Sequence, residues 1–310
     1  MSIRGAQLLR ISRNVADLER SVAFYVHRLG FVQAPRMPVI DHELSSLLGL
    51  HGQALRIQRL LFGAQEIELV EVGKEVAAYP FDSTSADLWF QHFAMRVHDI
   101  ESACVRLFRQ DLPAPLPTAI SHDQSGSAVP ITLPPRSGGV IAFKFRDPDG
   151  HPLEFLQFPG DSLPRLQEGI DHSAISVADA ERSIAFYKKV FGMRVAHRQL
   201  NVGIEQQYLD GMNHSTVEVI GLKPDVADGA DTHPYIELLA YQRPTGRPRS
   251  ESTMPLDIAS DRLVFRVSEV GNIAESNDEH LQAHVTLGTR GNPQRILLRD
   301  PDGHFLEVQQ

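Results

Sequence analysis

With 310 residues, 42 % of them apolar and 22 % charged, the chain has the composition of a globular protein of about two domains. Its formal net charge of -9 argues against a nucleic-acid partner, because a phosphate backbone calls for a concentrated positive surface. A single cysteine, Cys104, excludes an internal disulfide and suits a reducing compartment. No apolar run reaches the roughly 18 residues of a membrane span, and the N-terminus lacks the apolar core of a signal peptide, so a cytoplasmic protein with no membrane partner is expected.

In chain order, the first strand-like run is Leu8–Ile11. A helix follows, with Asp17 as N-cap, Leu18, Val22, Tyr25 and Leu29 on one apolar face, and Gly30 as its stop. Glu66–Val70 reads as a closing strand. The pattern restarts at Phe90–Phe93, with a helix predicted over Asp99–Gln110 that includes Cys104 as a core residue. A long loop, Thr118–Gly139, precedes a final strand at Pro152–Leu156. A Pro- and Gly-rich joint covers 159–169. The third copy has its strand at Ile170–Ser173, its helix between Asp179 and Gly192, and its closing strand at Tyr235–Leu239. The fourth begins at Asp261–Leu263, has a less regular helix from about Asn272 to Ala283, and closes with Phe305–Val308.

Two stretches recur closely. NVADLERSVAFYVHRLGF (14–31) matches SVADAERSIAFYKKVFGM (176–193), and RDPDGHPLEF (146–155) matches RDPDGHFLEV (299–308). The first pair opens, and the second closes, two halves: 1–160 and about 165–310. In Asp-Pro-Asp-Gly, Pro suits the first central turn position and Gly accepts positive φ, so both closing strands follow a hairpin. Each half then holds two β-α-β-β-β modules, at about 7–75 and 90–158, and about 169–242 and 259–310. His151 and His304, just after the turn glycines, read as structural. His51, His98 and His284 read as loop or turn residues.

The AFY helix and the DPDGHxLE hairpin, each present twice within a fourfold module repeat, resemble the vicinal oxygen chelate superfamily of glyoxalases, extradiol dioxygenases and bleomycin-resistance proteins. The two-half arrangement resembles that of bacterial two-domain members. The resemblance implies an α+β fold in which four βαβββ modules build two curled mixed sheets around clefts. It also implies that metal ligands come from the first and last strands of each module. Alternation on a strand agrees with this: in Leu153-Glu154-Phe155 the apolar neighbours face the helices and the glutamate faces the cleft.

At those positions the modules carry Arg10 and Glu68, His92 and Glu154, His172 and Glu237, and Arg262 and Glu307. Arginine has no lone pair to give a metal. If neighbouring modules pair, each cleft holds Arg, Glu, His and Glu. If modules two and three pair, and one and four, then one cleft collects His92, Glu154, His172 and Glu237, and the other collects two Arg/Glu pairs. Both pairings occur among the relatives, and charge balance favours the second. Glu68 and Glu307 serve equally well as mere ion-pair partners of Arg10 and Arg262. Glu205 and Tyr208, in a polar stretch at Gly203–Leu209, would reach substrate or else sit on a polar edge strand.

The implied function is a metal-dependent enzyme of lyase, isomerase or epimerase type. Its small substrate would chelate a divalent ion (Fe, Zn, Ni or Mn) through neighbouring oxygens, and Glu154 or Glu237 would be the catalytic carboxylate. A non-haem iron dioxygenase is the first alternative, although Arg262 stands where an extradiol enzyme has a histidine. A metal-free binding or resistance protein is the second. A homodimer is compatible with either.

Overall fold

A computed structural model describes residues 6–35, 39–50, 54–160, 169–225, 234–286 and 293–310. His51 and most of the joint (161–168) lie outside the described residues.

The first module comprises β1 (Gln7–Val15), α1 (Leu18–Phe24), β2 (Val32–Gln33), β3 (Val39–Asp41), α2 (His42–Leu47), β4 (Leu55–Phe62) and β5 (Gln65–Glu71). The Asp17 side chain caps α1 by accepting from the Arg20 amide, and the helix runs on as a π turn to Gly30 at φ 87°. The second module has β6 (Gln91–Arg96), α3 (Ile100–Leu107), β7 (Thr118–Ala119), β8 (Ile131–Thr132), β9 (Ile141–Arg146) and β10 (Pro152–Gln157). The third has β11 (Gly169–Ser176), α4 (Ala180–Phe191), β12 (Met193–Val202), α5 (Ile204–Asp210), β13 (Thr216–Pro224) and β14 (Tyr235–Arg243). The fourth has β15 (Arg262–Arg266), α6 (Val270–Ser276), β16 (Leu281–Thr286), β17 (Pro293–Arg299) and β18 (Phe305–Gln309). Two expectations change. The fourth helix ends at Ser276, because the chain passes through a short 3-10 turn into β16. The polar stretch after Gly203 is the helix α5, not an edge strand.

The strands form two nine-stranded mixed sheets. One runs β16-β17-β18-β15-β1-β5-β4-β2, with β3 beside β4. The other runs β12-β13-β14-β11-β6-β10-β9-β7, with β8 beside β9. The junctions are β1 against β15 and β6 against β11, both antiparallel. Module one therefore continues into module four, and module two into module three. This is the crossed pairing that charge balance favours.

Contacts within each half tie the two sheets to each other, and they explain why the two repeated motifs travel together. The hairpin of each half's second module docks on the helix of its first. Tyr25 donates to Asp147 at 2.9 Å, and Asp149 holds Arg20 and Ser21. In the other half, Tyr187 donates to Asp300 at 3.1 Å, and Asp302 holds Arg182 and Ser183. His151 Nε2 donates to the Asn14 carbonyl at 2.8 Å, and His304 Nε2 to that of Ser176 at 2.9 Å. Helices and the apolar strand faces meet in one core that spans all four modules and includes Phe24, Phe93, Phe155, Phe191 and Phe265. Burying such aromatics supplies much of the fold's driving force. No described helix is long and apolar enough to cross a membrane.

Candidate metal centre

The cleft of the second sheet is a cavity of about 380 Å³. Strand pairing brings its polar residues together. His92 on β6 lies across from Ala174 on β11, and Ala174 is beside Glu237 on β14. One row along, Glu154 on β10 pairs with Ala94, Ala94 with His172, and His172 with Tyr235. The small Ala94 and Ala174 leave room above the sheet for the larger side chains at their flanks. His92, Glu154 and His172 are buried, and each offers a ligand atom within 4.8 Å of the other two. Glu237 Oε1 is 3.6 Å from His172 Nε2. The four residues placed at ligand positions from the sequence thus line one cavity.

The donor set suits a divalent cation on its own chemistry. Nδ1 of His172 donates to Asp171 at 2.9 Å, which fixes the ring and aims Nε2 at the two glutamates. That Nε2 is buried and has no hydrogen-bond partner among the described residues, an unusual cost for a polar atom unless something else binds it. A carboxylate holding the far nitrogen of a histidine is the usual support of a ligating imidazole. His92 Nε2 lies 3.1 Å from Glu154 Oε2, so these two are already in contact.

Electrostatics separates the two glutamates. Burial pushes the Glu154 carboxyl up, but the Lys144 ammonium and the imidazoles of His92 and His172 outweigh it and hold it at about 2. Burial also opposes ionisation of Glu237, and His172 and His197 bring its pKa below the usual value. Burial lowers the pKa of His172, yet Glu237, Asp171 and Glu154 carry it up to about 9. For His92 burial prevails over Glu154, and its pKa is lowered.

Several lining residues were not singled out from the sequence. Lys144 on β9 pairs directly with Glu154 on β10 and donates to Asp210 at 2.8 Å. The symmetric register about the Asp-Pro-Asp-Gly turn could have placed it. His197, Tyr235 and Gln206 also line the cavity. Of α5, the cavity takes Gln206 and Leu209; Glu205 and Tyr208 lie half-buried beside that lining, Tyr208 against the apolar cluster of Leu133, Val140 and Leu209.

The other cleft is a lattice of buried charge. Arg10 Nε is 3.3 Å from Glu68, and Arg262 Nε is 3.7 Å from Glu307. Arg59 adds a contact to Glu68 at 3.2 Å, and Arg295 one to Glu307 at 2.7 Å.

Curled sheets of four βαβββ-type modules, with a His/Glu cluster in one cleft, define the class, and the sequence comparison agrees. The profile of the Glyoxalase/Bleomycin resistance protein/Dioxygenase superfamily matches residues 7–155 and 169–308, and the chain belongs to that superfamily. An Arabidopsis thaliana lactoylglutathione lyase is 24 % identical over 237 residues, 76 % of this chain and 71 % of its own length. A second Arabidopsis protein, named "Probable lactoylglutathione lyase, chloroplastic", is 23 % identical over 85 % of this chain, which spans only 62 % of that relative. Among solved structures, glyoxalase I from Zea mays superposes with a TM-score of 0.65 at 18 % identity, covering 99 % of this chain and 92 % of the maize chain. The fold is that of glyoxalase I.

Proposed function

We propose that the chain is a metal-dependent enzyme of the lyase or isomerase type, acting on a small molecule that presents two neighbouring oxygens to a divalent ion. The observation that carries this is the buried cluster of His92, Glu154 and His172 with Glu237 beside it. The names of the Arabidopsis relatives point the same way.

His92, His172 and Glu154 would hold the ion, Glu237 would complete the set through the oxygen that faces His172 and is the ligand best placed to leave it, and Asp171 fixes the His172 ring. A divalent ion there acts as a Lewis acid for two substrate oxygens. Glu237 is the better candidate for moving a proton. Glu154 is tied to His92 and faces Lys144, whereas Glu237 stands at the edge of the cluster, where its Oε2 is 3.9 Å from His197. Val217, Val219, Leu239, Leu209 and Leu156 form an apolar lining that takes the substrate body and excludes water.

Elemental analysis of protein purified without added metal tests the reading. One equivalent of zinc, nickel or manganese supports it. One equivalent of iron would favour a dioxygenase, since two histidines and one carboxylate are also the set used by non-haem iron. No bound metal, and none taken up on titration, leaves only a binding protein.

A further inference from the structure

A second histidine-bearing device stands at the mouth of the same cleft. Strand β12 carries a bulge: Val195 pairs with Leu222, but the next pair is His197 with Gly221, so Ala196 is extra. A bulge turns the following side chains to the opposite face. Without it Ala196 would oppose Gly221, and His197 would point away from the cavity. The residue opposite is a glycine for a visible reason: a Cβ at Gly221 would stand 2.0 Å from Cε1 of the His197 ring. Gly221 in turn pairs with Glu237 on β14. Across three strands the order is therefore His197, a gap, Glu237, and the ring leans through the gap. Its Nε2 lies 3.9 Å from Glu237 Oε2, while Glu237 Oε1 faces His172 Nε2 at 3.6 Å. Tyr235 stands between the two imidazoles, 5.5 Å from the His197 ring and 5.2 Å from that of His172.

We propose that His197, seated on Gly221 by the β12 bulge, is a positioning residue that holds the outer oxygen of Glu237 so that the inner oxygen is presented to the metal. The inference rests on the metal-chelate reading and adds a member to it. Three independent features converge on this one contact: the extra residue, the missing Cβ, and the histidine. None of them is needed to build a β-hairpin. A carboxylate with one oxygen steered outward keeps a single orientation toward the ion, as outer partners of ligands generally ensure. His197 is 40 % exposed in its side chain, so its removal opens no core cavity.

The test measures zinc affinity of the metal-free full-length protein by competition with a chromogenic chelator, with no activity assay involved. His197→Ala is expected to weaken zinc binding by about tenfold to a hundredfold. His197→Gln, which keeps a donor, recovers most of the loss. Gly221→Ala, which displaces the ring without touching a ligand, mimics His197→Ala, and the double variant is no worse than either. In a Glu237→Ala background His197→Ala has no further effect. Zinc affinity within twofold of wild type in His197→Ala overturns the proposal. So does an equal loss with and without the Glu237 carboxylate, which would mark a merely structural role. If wild-type protein takes up no zinc or other divalent ion at all, the metal reading itself falls, and that result appears before any variant is made.

Discussion

The two clefts are built from the same repeated unit in the same crossed arrangement, yet their electrostatics are opposite. Each position filled by His92 and His172 in one is filled by Arg10 and Arg262 in the other. The glutamates Glu154, Glu237, Glu68 and Glu307 are common to both. A guanidinium carries a fixed positive charge to the glutamates and has no lone pair to offer, so the Arg cleft is charge-balanced from within, although Arg10 Nε and Arg262 Nε make no hydrogen bond among the described residues. An imidazole can give up its proton and offer a lone pair, and the His cleft keeps buried, unpartnered nitrogens of that kind at His92 Nδ1 and His172 Nε2. The substitution of one residue type at two positions thus divides one fold into a closed charge lattice and an open coordination site.

The largest expected effect breaks the symmetry on the metal side. His172→Ala and His92→Ala each remove a neutral donor from a three-residue cluster. Metal content by elemental analysis should fall from one equivalent to none, whereas Arg10→Ala should leave it at one. Equal metal in all three variants would remove the site from this cleft. The next effect is on stability. Glu307→Leu leaves Arg262 and Arg295 buried with their main counter-charge gone, and losing one partner of a buried pair costs about 3–5 kcal/mol. Urea denaturation of the metal-free protein should show that loss, with metal content unchanged after refolding into zinc.

How much of this was legible beforehand depends on what kind of pattern encodes it. Glu154 and Glu237 were legible because strand alternation needs only local sequence, and the first-strand histidines because the repeat aligns them. The module pairing was not encoded in alternation, since both schemes put the same residues on the same face; only the charges of Arg10 and Arg262 discriminated. Lys144 was recoverable from the hairpin register but lies in the run IAFKF, where it reads as one polar residue among apolar ones. His197 was not recoverable. A bulge reverses the face of every residue after it, and nothing in MRVAHRQLNV marks where the extra residue falls. The seven residues of α5 are too few to tell a helical period from an interrupted strand, which is why the sequence leaves Glu205 and Tyr208 open between reaching substrate and sitting on an edge strand.

A smaller effect concerns what lashes the two clefts together. Tyr25 links α1, over the Arg sheet, to the hairpin of the His sheet, and Tyr187 makes the reciprocal tie. Tyr25 is the more heavily used, accepting from Arg13 at 2.7 Å as well as donating to Asp147. Tyr187 has its bond to Asp300 alone among those described. Tyr25→Phe leaves a buried guanidinium and a carboxylate each short of a partner, and should cost about 1–3 kcal/mol, more than Tyr187→Phe. Equal costs would show that Arg13 is satisfied without Tyr25, by Asp261 at 2.8 Å with the Pro152 carbonyl and Asp147 farther off.

The smallest effect is a pH dependence that only the His cleft can have. In the metal-free protein the His172 pKa is raised to about 9 by Glu237, Asp171 and Glu154 against the opposing pull of burial, compared with about 6.5 in an unfolded chain. The folded state therefore binds the proton more tightly than the unfolded state. The resulting stabilisation is complete below pH 6.5 and is lost as pH rises through about 9. Urea midpoints of metal-free wild type should fall between pH 7 and pH 10 by an increment that is absent from His172→Gln. The Arg cleft offers no counterpart, since its guanidinium groups keep their protons across that window. Zinc should abolish the increment as well, because ligation requires the neutral ring and replaces the proton as the partner of the two glutamates. A profile identical in wild type and His172→Gln would mean that Glu237 and Glu154 do not hold a proton on that ring. The asymmetry between the clefts would then lie in shape and not in charge.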